Sequence, residues 1–387
     1  MTPAKKTLRL GIVGLGWMGQ VHARAATRLA HHYGDLPAGL EVAAIADPAT
    51  DGRLEQAGQA YGAGLLTADW QELVASPDID IVSVAGPNFT HRDVAVAAAR
   101  AGKHLWIEKP AGRSTAESRE IAEAVRAAGV QSAVGFNYRQ VPAVQLARQL
   151  IADGELGAIR HVEVHLYGDY SAHPDGALTW RFIQDLAGGG AVADLGSHAV
   201  DLIEHVVGPV EAVLGDLATF IDQRPRPTGT VSHFSRATGG ELAPVENEDY
   251  GAALLRLRGG GRGLLSTSRV FVGEQNTYGF TVHGEKGSLT WDFRRIGELE
   301  VSIGQDYQGA AWTTRRLGPT DGVYSRFQPD TAISMSYDDL KVIELAHLIA
   351  AITTGEVTGA GIEDVVRSST VTDAIIRSAA EERWIEV

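Results

Sequence analysis

The chain contains no cysteine among its 387 residues, which excludes disulfides, thiolate nucleophiles and zinc–sulfur sites. Basic residues are scarce: 34 Lys and Arg face 48 Asp and Glu, for a formal charge of −14. Nucleic acid and anionic membrane surfaces both require basic patches, so neither is an expected partner. No stretch approaches the roughly eighteen uninterrupted apolar residues that a membrane-spanning helix needs. The thirteen histidines lack HExxH-type spacing, and no metal site is expected. The start, Met1 to Leu8, is short and basic and runs straight into a strand. It lacks the separate apolar segment and small-residue cleavage site of a signal peptide. The expected location is cytoplasmic.

What the chain does have is core material. At 387 residues and 44% apolar content it is long enough for two domains. Short apolar runs at 8–13, 40–46, 79–85, 104–107 and 131–136 alternate with alanine-rich helical stretches such as 92–101 and 115–128. Continuous apolar strands between helices indicate a parallel sheet covered on both faces. Right-handed crossovers make it doubly wound. An α/β Rossmann domain is therefore expected over 1–136, and a second, α+β domain over 137–387.

The rhythm changes after residue 150. Strand-like segments at 159–166, 210–220, 252–257, 263–272, 278–283, 288–292 and 299–303 follow one another with few helices between them. They predict a large, mostly antiparallel open sheet, a type that often leaves one face free to pack on something else. Residues 223–244 are rich in Pro, Gly, Ser and Thr and read as a long surface loop, while 337–354 and 362–382 return to helical periodicity.

Gly14-Leu-Gly16-Trp17-Met18-Gly19 follows the first strand and opens a helix. In a dinucleotide-binding loop, Gly14 allows the tight turn and Gly16 lets the backbone approach the pyrophosphate. Gly19 lets the helix pack on the sheet, and the helix N-terminus from Met18 offers amides and dipole to the phosphates. The alternative is a plain strand-to-helix turn, which the strand-before, helix-after context disfavours. Asp47 ends the second strand in Ile45-Ala46-Asp47-Pro48. A carboxylate there accepts the adenosine-ribose hydroxyls and repels a 2′-phosphate, favouring NAD over NADP. Its other reading is an Asx-type turn residue before proline. The spacing from the loop is long, and 31–39 would have to be an insertion before strand two.

Glu108-Lys109-Pro110 sits at the end of a later strand. The proline biases Lys109 away from helical geometry, and ligands of open α/β sheets bind outside the carboxyl ends of strands. A lysine delivered there would meet a nicotinamide ring; the bland alternative is a solvated lysine beginning a loop. Asp194-Leu-Gly-Ser-His198 follows Gly188-Gly-Gly190 and opens an apolar helical run. Residues four apart on a helix share a face, so carboxylate and imidazole point toward one ligand. Histidine suits abstraction of an alcohol proton near neutral pH. The alternative makes Asp194 a helix cap and His198 an ordinary packed histidine.

Taken in order, the glycine loop, Asp47, Ala85-Gly-Pro87-Asn88 with His91, Glu108-Lys109-Pro110 and Asp194-Leu-Gly-Ser-His198 resemble the Gfo/Idh/MocA family of sugar and polyol oxidoreductases. The resemblance covers essentially the whole chain. Within the family, Asn137-Tyr138-Arg139, Trp180-Arg181-Phe182 and Gly188-Gly-Gly190 are similar to the members acting on levoglucosan and inositol. The resemblance implies that Lys109 and His198 are catalytic and that Asp194 binds substrate and orients the histidine. It places Gly14, Gly16, Trp17, Met18, Gly19, Asp47, Pro87, Asn88, His91, Glu108, Lys109 and Asn137 at the cofactor. Tyr138, Arg139, Trp180 and Arg181 would surround nicotinamide and sugar, with 167–178 as a variable substrate loop. The implied activity is NAD-dependent oxidation of a secondary hydroxyl on a pyranose, anhydrosugar or cyclitol, in a homodimer or homotetramer built on the open sheet. Some relatives suggest two alternatives: glycoside cleavage through a transient keto-sugar with tightly held NAD, or a dinucleotide-binding sensor without catalysis.

Overall fold

The structure is a computed structural model, and it describes residues 5–227, 229, 236–237, 239–304, 307–328, 330 and 333–387. The chain divides into two compact units, Met1–Gln140 with Met335–Val366, and Val141–Ser334 with Arg367–Val387.

The first unit is built on a six-stranded sheet in the order Leu65–Thr67, Ala38–Ala46, Lys6–Val13, Ile81–Val84, His104–Ile107, Ser132–Val134. Every neighbouring pair is parallel. This is the doubly wound dinucleotide-binding order, whose sequence direction reverses between the strands at Lys6–Val13 and Ile81–Val84. Leu10, Ile12, Val82, Val84, Leu105 and Ile107 are wholly buried, as strands covered on both faces must be. Helices end where glycine permits left-handed backbone, at Gly62, Gly129 and Gly355. The first helix spans Trp17–His32 and the second strand begins at Ala38. The long spacing to Asp47 is therefore taken up by the lengths of that helix and strand rather than by an inserted loop.

The helix Tyr337–Thr354 also belongs to the first unit. Ser336 and Asp339 form a reciprocal capping box at its start. Ion pairs Arg24–Asp338 and Arg28–Asp339 fasten it to the first helix.

The second unit carries a nine-stranded sheet. Its order is Thr313–Arg316, Glu298–Ile303, Gly287–Asp292, Asn276–Gly284, Ile159–Gly168, Arg262–Ser268, Tyr250–Leu257, Val210–Ala218, Ile385–Glu386. All pairs are antiparallel except Ile159–Gly168 with Arg262–Ser268. One face packs on helices: the helix Ile362–Glu381 passes so near that a Cβ on Gly215 would lie 2.5 Å from the carbonyl oxygen of Ile375. On the other face a cross-strand row of Leu214, Leu254, Leu264, Glu163, Thr281 and Thr290 is partly or fully exposed. The ends of the expected loop at 223–244 pair as two short strands, Gln223–Pro225 and Leu242–Pro244. Residues 228, 230–235 and 238 within it, like Met1 to Ala4 at the start, lie outside the described residues. Among the described residues no helix is long and apolar enough to cross a membrane.

Candidate active site

In the first unit, each glycine of the loop meets a different constraint. A Cβ on Gly14 would lie 2.6 Å from the backbone of Gly86, and one on Gly19 would lie 1.9 Å from the carbonyl oxygen of Gly14. A Cβ on Gly16 meets nothing within 4 Å. Two glycines are thus required by packing, and the third opens a cradle. The helix beginning at Trp17 has no side-chain cap and no acidic residue in its first turn. Its leading amides and positive dipole end remain available to an anion. These features fit a bound pyrophosphate.

Asp47 is buried at the end of the second strand. Its Oδ2 accepts the Leu15 amide at 2.6 Å and its Oδ1 accepts the Ala49 amide at 2.9 Å. The Asx turn is therefore real, and the same carboxylate braces the glycine loop. A carboxylate has about four lone-pair positions, so two amides leave acceptor capacity for ribose hydroxyls.

His91 lies buried with Nδ1 2.8 Å from the Pro110 carbonyl oxygen and Nε2 2.8 Å from that of Gly86. It ties together the loops that follow two adjacent strands. Burial pushes its proton affinity down while both carbonyls pull it up. A neutral ring donates to only one of them. Pro87 and Asn88 begin the helix Asn88–Arg100. Asn137 is fully buried, and its amide oxygen and nitrogen have no hydrogen-bond partner among the described residues. An internal water or a bound polar group would satisfy such an orphan. Trp17 and Tyr138 both pack on Tyr337, at centroid distances of 5.5 and 6.2 Å. Arg139 pairs with Asp364 at 3.1 Å.

Lys109 is half-buried at the strand end, and the Lys109–Pro110 peptide is cis. Glu108, expected at the cofactor, is buried. It turns into the core, where Oε1 accepts Lys341 Nζ at 2.5 Å and lies 3.0 Å from His22 Nε2. Its Oε2 accepts the backbone amide of Lys109 at 3.3 Å. Burial opposes the Glu108 charge, but the Lys341 ammonium and the His22 hydrogen bond hold the carboxyl well below its usual range.

In the second unit, Asp194 occupies a π-helical segment, Val192–Gly196, which runs into the α-helix Ser197–Val206 bearing His198. Wide π turns inserted in helices frequently mark functional sites. Asp194 Oδ2 accepts Tyr170 Oη at 3.0 Å and Arg181 at 3.3 Å. Burial, with Asp194 beside it, pushes the Tyr170 phenol up and keeps it a donor. Arg181 also lies 4.5 Å over the Trp180 ring, so one face of that indole is covered. Gly190 is required, because a Cβ there would lie 2.1 Å from the Glu248 carbonyl oxygen. His198 is buried, and its carbonyl accepts the Tyr278 hydroxyl at 2.8 Å. The first unit thus gathers the glycine loop, Asp47, His91 and Lys109; the second gathers Tyr170, Trp180, Arg181 and Asp194, with His198 on the helix that follows. Sequence reasoning missed His22, Lys341 and Glu344. The available signal was a charged pair three residues apart inside the otherwise apolar run after Asp339.

Comparison with known proteins accounts for both units. Residues 8–136 match the family described as oxidoreductase, NAD-binding Rossmann fold, and 144–290 match the GFO/IDH/MocA C-terminal domain. The chain is 32% identical over 385 residues to levoglucosan dehydrogenase of Pseudarthrobacter phenanthrenivorans, covering 99% of this chain and 98% of that one. It is 28% identical to inositol 2-dehydrogenase of Rhizobium meliloti, covering 98% and 99%. A solved structure of levoglucosan dehydrogenase in complex with NADH and levoglucosan superimposes with a TM-score of 0.91 at 31% identity, covering 99% of this chain and 100% of the other. The first unit is an NAD-binding Rossmann domain, and the chain belongs to the Gfo/Idh/MocA family of oxidoreductases.

Proposed function

We propose that the protein is an NAD-dependent dehydrogenase that oxidises a secondary hydroxyl of a pyranose, a levoglucosan-like anhydrosugar or a cyclitol to the ketone. The observation that carries this reading is the end-to-end likeness to levoglucosan dehydrogenase, with Lys109, Asp194 and His198 all present. Bound NAD supplies the acceptor for the hydride that leaves the carbinol carbon. His198 takes the hydroxyl proton as general base. Lys109 donates a hydrogen bond to the same oxygen and stabilises the developing alkoxide. Asp194 binds the substrate and steadies the imidazole, itself held by Tyr170 and Arg181. Gly14, Gly16, Gly19 and Asp47 hold the dinucleotide, with NADP the poorer cofactor. Pro87, Asn88, His91 and Asn137 line the cofactor site. Tyr138, Arg139 and Trp180 bind the sugar, whose hydroxyls need polar partners once buried.

The open face bearing Leu214, Leu254 and Leu264 is the surface on which a second copy packs, giving a dimer or tetramer. The reaction belongs in the cytoplasm, where the NAD pool is. Purified protein mixed with NAD and a panel of levoglucosan, myo-inositol, glucose and xylose tests the reading. NADH should accumulate with at least one of them. Failure with every pyranose, anhydrosugar and cyclitol tried would refute it, and glycoside cleavage without net NADH would point to a transient keto-sugar instead.

A further inference from the structure

Behind the strand end that delivers Lys109, the core of the first unit encloses four titratable side chains: His22, Glu108, Lys341 and Glu344. The Lys341 ammonium donates to Glu108 Oε1 at 2.5 Å and to Glu344 Oε1 at 3.0 Å. Trp106 Nε1 donates to the same Glu344 oxygen at 2.6 Å. His22 stacks on the Trp106 ring with centroids 3.6 Å apart, and its Nδ1 lies 2.8 Å from Ser83 Oγ. Ligand atoms of His22, Glu108 and Glu344 lie near enough to one another to suggest a metal. The lysine ammonium bonded to both carboxylates already supplies the cation.

The cluster is close to neutral in charge. Burial pushes Glu344 up to about 7 and His22 down to about 4. One ammonium then faces one full carboxylate and one carboxyl that gives up its proton only near neutrality. A buried ionic group of this kind is generally no more stabilising than well-packed apolar side chains of the same volume. Its presence among Leu340, Val342, Ile343 and Leu345, in the buried part of the helix, calls for a role other than stability. The geometry supplies one. Glu108 Oε1 is pinned by Lys341 and lies against His22, which directs Oε2 toward the Lys109 amide. The carboxylate is also pressed against Gly135, where a Cβ would lie 2.6 Å from Oε2.

We propose that Lys341 is a positioning residue for Lys109: carried in by the helix Tyr337–Thr354, it locks the Glu108 carboxylate so that the strand end presents Lys109 in one orientation. His22, Trp106 and Glu344 complete the lock. The inference rests on the reading of Lys109 as the group that stabilises the alkoxide.

A double-mutant cycle tests it. Lys341→Met should lower kcat by about ten- to a hundredfold, the cost of a small misplacement of a reacting group. Substrate KM, and NAD affinity measured by fluorescence titration, should stay within about twofold. In a Lys109→Met background the same change should lower kcat no further, because a positioning residue has nothing left to position. An equal fall in both backgrounds overturns the proposal, as does a fall confined to NAD affinity or thermal stability. If Lys341→Met does not fold, Lys341→Met/Glu344→Leu, which removes the ammonium together with the other carboxylate it holds, enters the cycle with the same criteria. Full activity in Lys109→Met alone would refute the parent reading of Lys109, a result distinct from additivity in the cycle.

Discussion

Asp47 serves two partners at once, and its substitutions separate them. The carboxylate braces the Leu15 and Ala49 amides and is proposed to accept the ribose hydroxyls. Asp47→Asn keeps one acceptor for the turn but removes the charge. It should weaken NAD binding by roughly 1.5–3 kcal/mol for each charge-assisted hydrogen bond lost and should relax discrimination against NADP. Fluorescence titration with both dinucleotides measures this, and a native preference for NADP would contradict the assignment. His198 and Lys109 divide the proton chemistry. Oxidation should rise with pH as the general base loses its proton, since a free imidazole ionises far nearer neutrality than a free ammonium does. In pH–rate profiles His198→Gln should abolish that limb, and Lys109→Met should lower turnover by about a hundredfold. Persistence of the limb in His198→Gln, with its loss only in Lys109→Met, would reverse the roles. At this scale the loop glycines were legible because their spacing carries their geometry. Lys341 was not: its partner Glu108 lies 233 residues away in sequence, and no local pattern announces that meeting.

Among the elements, strands and long helices were the most legible. The apolar periodicity over 337–354 gives the bounds of the helix Tyr337–Thr354, and 115–128 gives those of Thr115–Ala128. The π-helical turn at Val192–Gly196 was not legible, since a helical pattern does not record one extra residue per turn. Nor was the parallel pair inside the large sheet, because pairing partners are set by topology rather than by strand composition. The helix Tyr337–Thr354 also carries a pH-linked effect. Burial raises the Glu344 carboxyl to about 7 from an ordinary value near 4.5. Stability from this group is complete below the ordinary value and is lost as pH rises through about 7, when a second buried carboxylate must ionise. His22 works oppositely over an overlapping range, because its affinity is lowered and its contribution grows as pH rises toward its ordinary 6.5. Comparing Tm of the native protein with Glu344→Gln isolates the first effect. The native protein's Tm relative to the variant should fall between about pH 4.5 and pH 7. A difference independent of pH would contradict the protonation assigned to Glu344.

For the whole molecule, two units with different sheets were readable from the change of strand rhythm. The return of residues 335–366 to the first unit was not, because it depends on the docking of Asp338 and Asp339 against Arg24 and Arg28. The exposed row containing Leu254 and Leu264 leads to the expectation of a dimer or tetramer by light scattering, with Leu254→Glu/Leu264→Glu shifting it toward monomer. A native monomer would contradict the interface. The central claim is that a carbon-bound hydrogen of a sugar or cyclitol moves to NAD while the protein holds the oxygen. Its most direct test takes the substrate found in the panel, deuterated at every carbon, and determines the mass of the NADH formed. The account predicts that the nicotinamide gains one deuterium. NADH without deuterium, or conversion of substrate with no label passing to the cofactor, would contradict it.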